Sequence, residues 1–412
     1  MANLDPVRET NREAIATLAL ELLGHDTVNP PGDTQAIVRR LESFFADLGV
    51  ETERFAADPT KPNLLATIPG EREYTLCYSG HLDTVQFDPD GWSRDPLGER
   101  VGDRLYGRGA ADMKGAVAAM LQVARAFVET DTRPPLTLVF AFVSDEEVGG
   151  DAGVAALLEA NRLDADACII GEPTGTADRH SMTVADRGSI WLTLEATGDA
   201  AHGSRPMLGT NAIDRLWVAI ETIRSRLRDR KLVYPDPVEQ IVEESVAYYA
   251  PTIGDGPARE LFDWPTVNLG TIDGGENVNS VPRAARARLD VRVTAGVDSR
   301  ALLEEIREWI DAHEGVTVAD ANWSVGTYEE PDGSLVEATA TVAGDVLGER
   351  IYRRSATGGG DAKRLRRAGI PTVEFAVATD TVHACDEYTT VDALAATADV
   401  YARLPATLAA RY

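Results

Sequence analysis

Leu136-Thr137-Leu138-Val139-Phe140-Ala141-Phe142-Val143 runs straight into Ser144-Asp145-Glu146-Glu147. A short apolar run closed by a polar cluster reads as a strand buried on both faces, as in a parallel sheet. Two other stretches have the same form: residues 75–79 end in Gly80-His81-Leu82-Asp83, and residues 167–170 end in Gly171-Glu172-Pro173-Thr174. Open α/β sheets keep their sites at the carboxyl ends of strands. Three strand ends that each carry potential metal ligands therefore say where the chemistry lies.

Around these strands, apolar spacing predicts a helix holding Ile15, Leu18, Leu22 and Leu23 and stopped by Asn29-Pro30-Pro31-Gly32. It also predicts a helix over 34–48 ended by Gly49, and a long Ala-rich helix over 112–127. From about residue 182 the pattern changes to strand 188–196, helix 211–227, strands 266–272 and 284–294, helix 299–312 and strand 316–325. That β-α-β-β-α-β order is the ferredoxin-like split arrangement. Residues 232–263, with several prolines and acids, take no assignment. A helix over 334–347, a strand over 371–376 and a helix over 391–408 resume the α/β character. The expected fold class is α/β. A catalytic domain with a mainly parallel mixed sheet (1–181 and 329–412) is interrupted by a ferredoxin-like α+β domain (182–328). A chain of 412 residues suits two domains.

With 67 acidic and 40 basic residues the net charge is −27, a field that repels phosphate backbones and anionic membranes. No nucleic-acid or membrane partner is expected. Only four basic residues are lysines, and an Arg-heavy acidic surface stays hydrated where salt screens its self-repulsion, which predicts a halophilic, salt-rich interior. Cys77, Cys168 and Cys385 form no CxxC pair, so neither a disulfide scaffold nor a thiolate zinc site is expected. The opening MANLDPVRET has no basic or apolar signal region, and no apolar stretch approaches the roughly 18–20 residues of a membrane helix. A cytoplasmic protein is expected.

His81 and Asp83 stand two apart past a strand, where side chains share one side. One division of roles makes the imidazole a metal ligand and gives its other N–H to the carboxylate. Asp112, at the mouth of the Ala-rich helix, is placed to bridge two cations. Glu146 and Glu147 are adjacent and point opposite ways on extended backbone, so one can bind metal while the other stays free. Glu172 follows a strand, and His383 opens the polar loop His383-Ala384-Cys385-Asp386-Glu387. Two histidines with several carboxylates and no thiolate suit zinc, cobalt or manganese. A pair of such ions would polarise a carbonyl and acidify water, and the free glutamate would pass the water's proton to a leaving nitrogen. Gly107-Arg108-Gly109 lacks the third glycine of a dinucleotide fingerprint.

Residues 79–85, 106–115, 144–150, 171–174, Ala201-His202-Gly203-Ser204-Arg205-Pro206 and the His383 loop stand in one order. Together they resemble the dinuclear zinc amidohydrolases that include acetylornithine deacetylase, succinyl-diaminopimelate desuccinylase, aminoacylase and glutamate carboxypeptidase. The likeness spans nearly the whole chain. It implies a zinc-peptidase-like catalytic domain, an inserted lid and dimerisation domain, two divalent ions per subunit (zinc, or cobalt or manganese) and a homodimer. It implies one ion on His81, Glu172 and bridging Asp112, and another on Asp112, Glu147 and His383. Asp83 would support His81, Glu146 would be the general base, and His202 would steady the oxyanion, in dimeric relatives across the subunit boundary. Asn279 and Arg292 would grip the substrate carboxylate as a pair. Gly358 and Gly359 would line the substrate in a loop where Gly360 replaces the usual Thr or Ser. The implied substrate is a small N-acyl amino acid of the acetylornithine or succinyl-diaminopimelate kind. The alternative is a dipeptidase or carboxypeptidase of the same chemistry. A non-catalytic binding protein would have no use for Glu146.

The acidic surface predicts a melting temperature that climbs from low to molar salt. A melt that is flat across the salt series would contradict this reading of the charge.

Overall fold

Register in one sheet decides where the strand ends fall. The structure, a computed structural model, describes residues 12–130, 132–176 and 179–412. The reading of the first ten residues lies outside these. Two compact units emerge: Met1–Val184 with Glu329–Arg354 and Gly360–Tyr412, and Ala185–Tyr328 with Ser355–Gly359. The short Ser355–Gly359 segment was expected in the catalytic part and clusters instead with the inserted one.

In the first unit an eight-stranded mixed sheet runs in the order Thr52–Phe55, Asn63–Ile68, Leu136–Val143, Arg72–His81, Ala167–Ile170, Thr372–Glu374, Ser181–Ala185, Tyr352–Ser355. Its central pairs are parallel, with His81 opposite Val143 and Ser79 opposite Ile170. The Thr52–Phe55 and Asn63–Ile68 flank is antiparallel. The helix Lys114–Glu129 lies on this centre with all but three of its residues buried. It comes so close that a Cβ on Gly80 would stand 2.9 Å from Met113 Cε, and one on Gly171 would stand 2.8 Å from Ala116 Cβ. Glycine at these two strand ends is what lets the helix, and the residues leading into it, approach the sheet. Tyr78 and Tyr401 tie the sheet to the closing helix Val391–Ala409: Tyr78 donates to Tyr401 O at 2.6 Å, and Tyr401 donates to Phe375 O at 2.5 Å. A small antiparallel sheet, Tyr388–Thr390, Arg104–Tyr106 and Glu99–Val101, completes the unit.

The second unit is a four-stranded antiparallel sheet in the order Thr266–Gly274, Ala284–Val293, Gly188–Thr197, Val316–Ser324. Ala284–Val293 alternates exposed and buried residues, as expected of a half-buried strand. Its inward side packs with Ile190, Leu192 and Leu194 against Leu216, Ile220 and Ile223 of Ala212–Arg228 and Leu302, Ile306 and Ile310 of Ser299–Asp311. The stretch 232–263 is two helices, Asp236–Ile253 and Asp255–Asp263, parted by Gly254 at φ +89°. Pro237 and Pro257 fall in first turns, where a missing N–H costs nothing, so they begin helices rather than prevent them. Among the described residues no helix is long and apolar enough to cross a membrane.

Candidate metal centre

The parallel register sets the site. Glu172 lies two residues past Ile170, as His81 lies two past Ser79, so both stand at the same level at adjacent strand ends. Glu146 and Glu147 follow Val143, the partner of His81. Asp112 arrives from the turn before Lys114–Glu129. His383 arrives from its loop, holding a left-handed φ of +61°.

The structure brings His81, Asp112, Glu147, Glu172 and His383 together. His81 Nε2 lies 3.0 Å from Asp112 Oδ1 and 3.5 Å from Glu172 Oε1. His383 Nε2 lies 3.1 Å from Asp112 Oδ2 and 3.3 Å from Glu147 Oε2. The two oxygens of Asp112 are thus divided between the two imidazoles. His81 Nδ1 sits 2.9 Å from Asp83 O, which can only accept. That places a proton on Nδ1 and turns Nε2 toward the carboxylates, the nitrogen a metal would use.

Asp83 does support His81, but through its backbone carbonyl and not through the carboxylate that the i, i+2 spacing suggested. Asp83 Oδ1 is 3.9 Å from His81 Nδ1, and the buried carboxylate accepts instead from Glu146 N at 3.1 Å and Glu147 N at 3.2 Å. It orients the two glutamates, while the Asp83 backbone carbonyl orients the imidazole. Asn29 and Lys61, which the sequence reading passed over, extend this support. Asn29 Nδ2 donates to Asp83 Oδ2 at 2.8 Å and Asp145 Oδ1 at 3.1 Å, and Lys61 ion-pairs with Asp145. The breaker Asn29-Pro30-Pro31-Gly32 hid a buried amide whose partners lie 54 and 116 residues away.

Charge makes the cluster a cation site. Burial would lower the His81 pKa, but Asp112, Glu172 and Glu147 raise it well above the usual imidazole value. Hydrogen bonds to Asp112 and Glu147 push His383 up to about 10. Burial raises Asp112, but His383 and His81 outweigh it and hold the carboxyl low. Burial, then neighbouring Asp112, lifts Glu172 well above the carboxylate range. Burial likewise lifts Glu146 to about 8, with Asp361, Asp112 and Glu147 adding to it and His81 opposing. Among the described residues Asp112, Glu147 and Glu172 have no ion-pair partner but the two histidines, and buried Glu147 Oε1 has no hydrogen-bond partner. An unpaired buried carboxylate oxygen is costly unless a cation meets it. Donor atoms of His81, Asp112 and Glu147, and of His81, Glu146 and Glu172, lie within 4.8 Å of one another. The donors are oxygen and nitrogen, which fits a divalent ion.

The remaining expected residues are less gathered. Gly358 and Gly359 are exposed, and it is Gly360 that lies against the centre: a Cβ there would stand 2.6 Å from Glu146 Oε1. In the second unit, Ser204 N donates to Nδ1 of exposed His202 at 3.2 Å, so the neutral ring carries its proton on Nε2. Gly203 N donates to Asn279 O at 2.6 Å, which sets His202 and Asn279 side by side. Asn279 and Arg292 do not form a pair. Ala284–Val293 separates them, and Ala284 to Arg292 alone spans about 27 Å of extended strand. Arg292 is also forked onto Asp290 at 2.7 and 3.0 Å. Its neighbour is buried Arg187, another residue the sequence reading missed, which donates to Arg292 O at 2.9 Å. Burial, then the charge of Arg292, lowers the Arg187 pKa to about 10, with Asp290 opposing.

The profile of peptidase family M20/M25/M40 matches residues 77–407. The chain belongs to this family and is a metal-dependent amidohydrolase. It is 30% identical over 396 residues to a succinyl-diaminopimelate desuccinylase of Rhizorhabdus wittichii, covering 93% of this chain and 95% of that one. It is also 30% identical over 354 residues to an acetylornithine deacetylase of Pectobacterium carotovorum, covering 83% of each. Among solved structures, an M20 family metallo-carboxypeptidase of Sulfolobus solfataricus shares the fold at TM-score 0.78 and 19% identity, covering 96% of this chain and 99% of that one.

A ligating imidazole must lose its proton, and His383 holds one up to about pH 10 in the metal-free cluster. Loading zinc at pH 7 therefore releases protons, and apparent affinity rises with pH through that range. Calorimetry in buffers of differing ionisation enthalpy reads the release. Uptake with no proton release would contradict the cluster's charge state.

Proposed function

We propose that this enzyme hydrolyses the amide bond joining an acyl group to the nitrogen of an amino acid, of the N-acetylornithine or N-succinyl-diaminopimelate type. The reading rests on one observation: buried Asp112 divides its oxygens between His81 and His383, with Glu146 close beside His81 and Glu172. His81, Glu172 and Asp112 would hold one zinc ion, and Asp112, Glu147 and His383 a second, with cobalt or manganese as substitutes. When bound, the ions supply Lewis acidity toward the scissile carbonyl and lower the pKa of water. Glu146, anchored through its N–H to Asp83, takes the water's proton and returns it to the leaving nitrogen. A pKa lifted toward neutrality by burial suits a group that must both accept and donate.

His202 offers Nε2–H to the oxyanion, Asn279 stands beside it, and Arg292 with Arg187 receives the substrate carboxylate. The length of the Ala284–Val293 strand keeps these pairs apart, which favours a homodimer in which His202 and Asn279 serve the neighbour's centre. The edge strand Thr266–Gly274, exposed along most of its length, and exposed Trp217 and Val218 on the adjoining helix support the same reading. The −27 charge and lysine scarcity support a cytoplasm rich in salt.

Glu146→Gln lowers kcat by about a hundredfold or more while metal content stays at the wild-type level. Retained turnover would remove the base. Assayed side by side, N-acetylornithine and N-succinyl-diaminopimelate outpace dipeptides; preference for dipeptides would select the peptidase alternative. Co-expressing His202→Ala with Glu146→Gln regenerates activity that neither has alone, since the mixed dimer holds one intact centre. No recovery in a confirmed mixed dimer would contradict service in trans.

A further inference from the structure

The two loops that carry Asp112 and His383 share a buried ion pair that takes no part in the chemistry above. Glu387 is fully buried and Arg108 is 4% exposed. Glu387 Oε2 accepts from Arg108 Nη1. Its other oxygen, Oε1, accepts from three backbone N–H groups of the Asp112 turn: Gly109 N at 3.1 Å, Ala111 N at 2.9 Å and Asp112 N at 3.2 Å. Arg108 Nη2 reaches the opposite way and donates to His383 O and Ala384 O, each at 3.2 Å. Gly107 N donates to Glu387 O at 2.9 Å, and the guanidinium lies 5.4 Å from the Trp92 ring centroid. A residue from each loop thus grips the backbone of the other.

That backbone needs holding. His383 and Asp386 both sit at positive φ, +61° and +53°, conformations that L-residues other than glycine adopt only when their surroundings impose them. Asp112 must turn one oxygen to each imidazole, and its own N–H is among those Glu387 fixes.

We propose that Arg108 and Glu387 are positioning residues that set the affinity of the second cation position, the one formed by Asp112, Glu147 and His383, without touching ion or substrate. The inference rests on the two-ion reading given above. Its selectivity follows from what holds each ligand. His81 and Glu172 stand at the ends of parallel strands, fixed by register, so only Asp112 of the first set depends on the pair. Two of the three ligands of the second set, Asp112 and His383, ride on the clamped loops. Partners that orient a ligand from behind are worth about ten- to a hundredfold in metal affinity.

The test is a zinc titration of metal-free wild type, Glu387→Gln and Arg108→Lys by calorimetry, with cobalt absorption as a second readout of ligand geometry. Glu387→Gln keeps the shape and an acceptor oxygen but removes the charge facing Arg108. Arg108→Lys keeps a cation but cannot donate to Glu387 and both carbonyls at once. In each, the first ion binds within about threefold of wild type and the second about ten- to a hundredfold more weakly. Excess zinc restores kcat with the substrate KM unchanged, which a general loss of structure would not allow. Should Glu387→Gln fail to fold, Arg108→Lys carries the test, its fold checked by near-UV circular dichroism. Two ions bound with wild-type affinity in a folded variant, or both positions weakened alike, would overturn the inference. Wild type that takes up a single ion would sink the two-ion reading and the inference with it. Two ions in wild type with unchanged variants would sink the inference alone.

Discussion

A carboxylate held out of water between two imidazoles governs this molecule. Asp112 presents one oxygen to His81 and the other to His383, with Glu146, Glu147 and Glu172 close by. Four carboxyl groups crowd two imidazoles, and burial lifts Glu146 and Glu172 because their charge finds too little compensation there. Burying charge without compensation is expensive, and a divalent ion offsets it directly. The surrounding hydrogen bonds and strand register fix the donors, which limits the ordering entropy that ion binding costs.

Two kinds of support do this holding. Parallel register delivers His81, Glu172 and the segment bearing Glu146 and Glu147 to one level of the sheet, and the glycines at strand ends let Asp112 come close from the helix side. Behind them, buried side chains capture backbone N–H groups: Asp83 takes those of Glu146 and Glu147, and Glu387 takes those leading to Asp112. In both cases an acid whose charge is already satisfied orients another acid whose charge is left for the ion. In the second unit the Ala284–Val293 strand acts as a spacer, setting a polar end with His202 and Asn279 apart from a guanidinium end with Arg187 and Arg292.

Much of this was legible along the chain because local physics repeats. Residues 136–143 and 167–170 are buried on most or all of their length, which leaves an apolar run, and both strands keep the bounds read from sequence. The strand Ala284–Val293 was equally plain, read over 284–294. Thr52–Phe55 escaped notice because an exposed edge strand carries no apolar signature, whereas Thr372–Glu374 falls inside the strand read over 371–376. The helices within 232–263 were masked by prolines, of which Pro237 and Pro257 in fact sit in first turns while Pro251 lies inside Asp236–Ile253. At the site, the ligand types and their order were readable, since strand ends announce themselves. The links from Asn29 to Asp83, from Lys61 to Asp145 and from Arg108 to Glu387 were not. They join residues 54, 84 and 279 positions apart, and no local periodicity encodes them. The separation of Asn279 from Arg292 likewise became visible only once the strand between them had a length.

Anomalous diffraction from zinc-loaded crystals, collected on either side of the zinc edge, tests the central claim most directly. The account predicts two peaks flanking Asp112, one within bonding distance of Oδ1 and His81 Nε2, the other of Oδ2 and His383 Nε2. A single peak that leaves one of those imidazoles without an ion, or zinc bound away from Asp112, would contradict it.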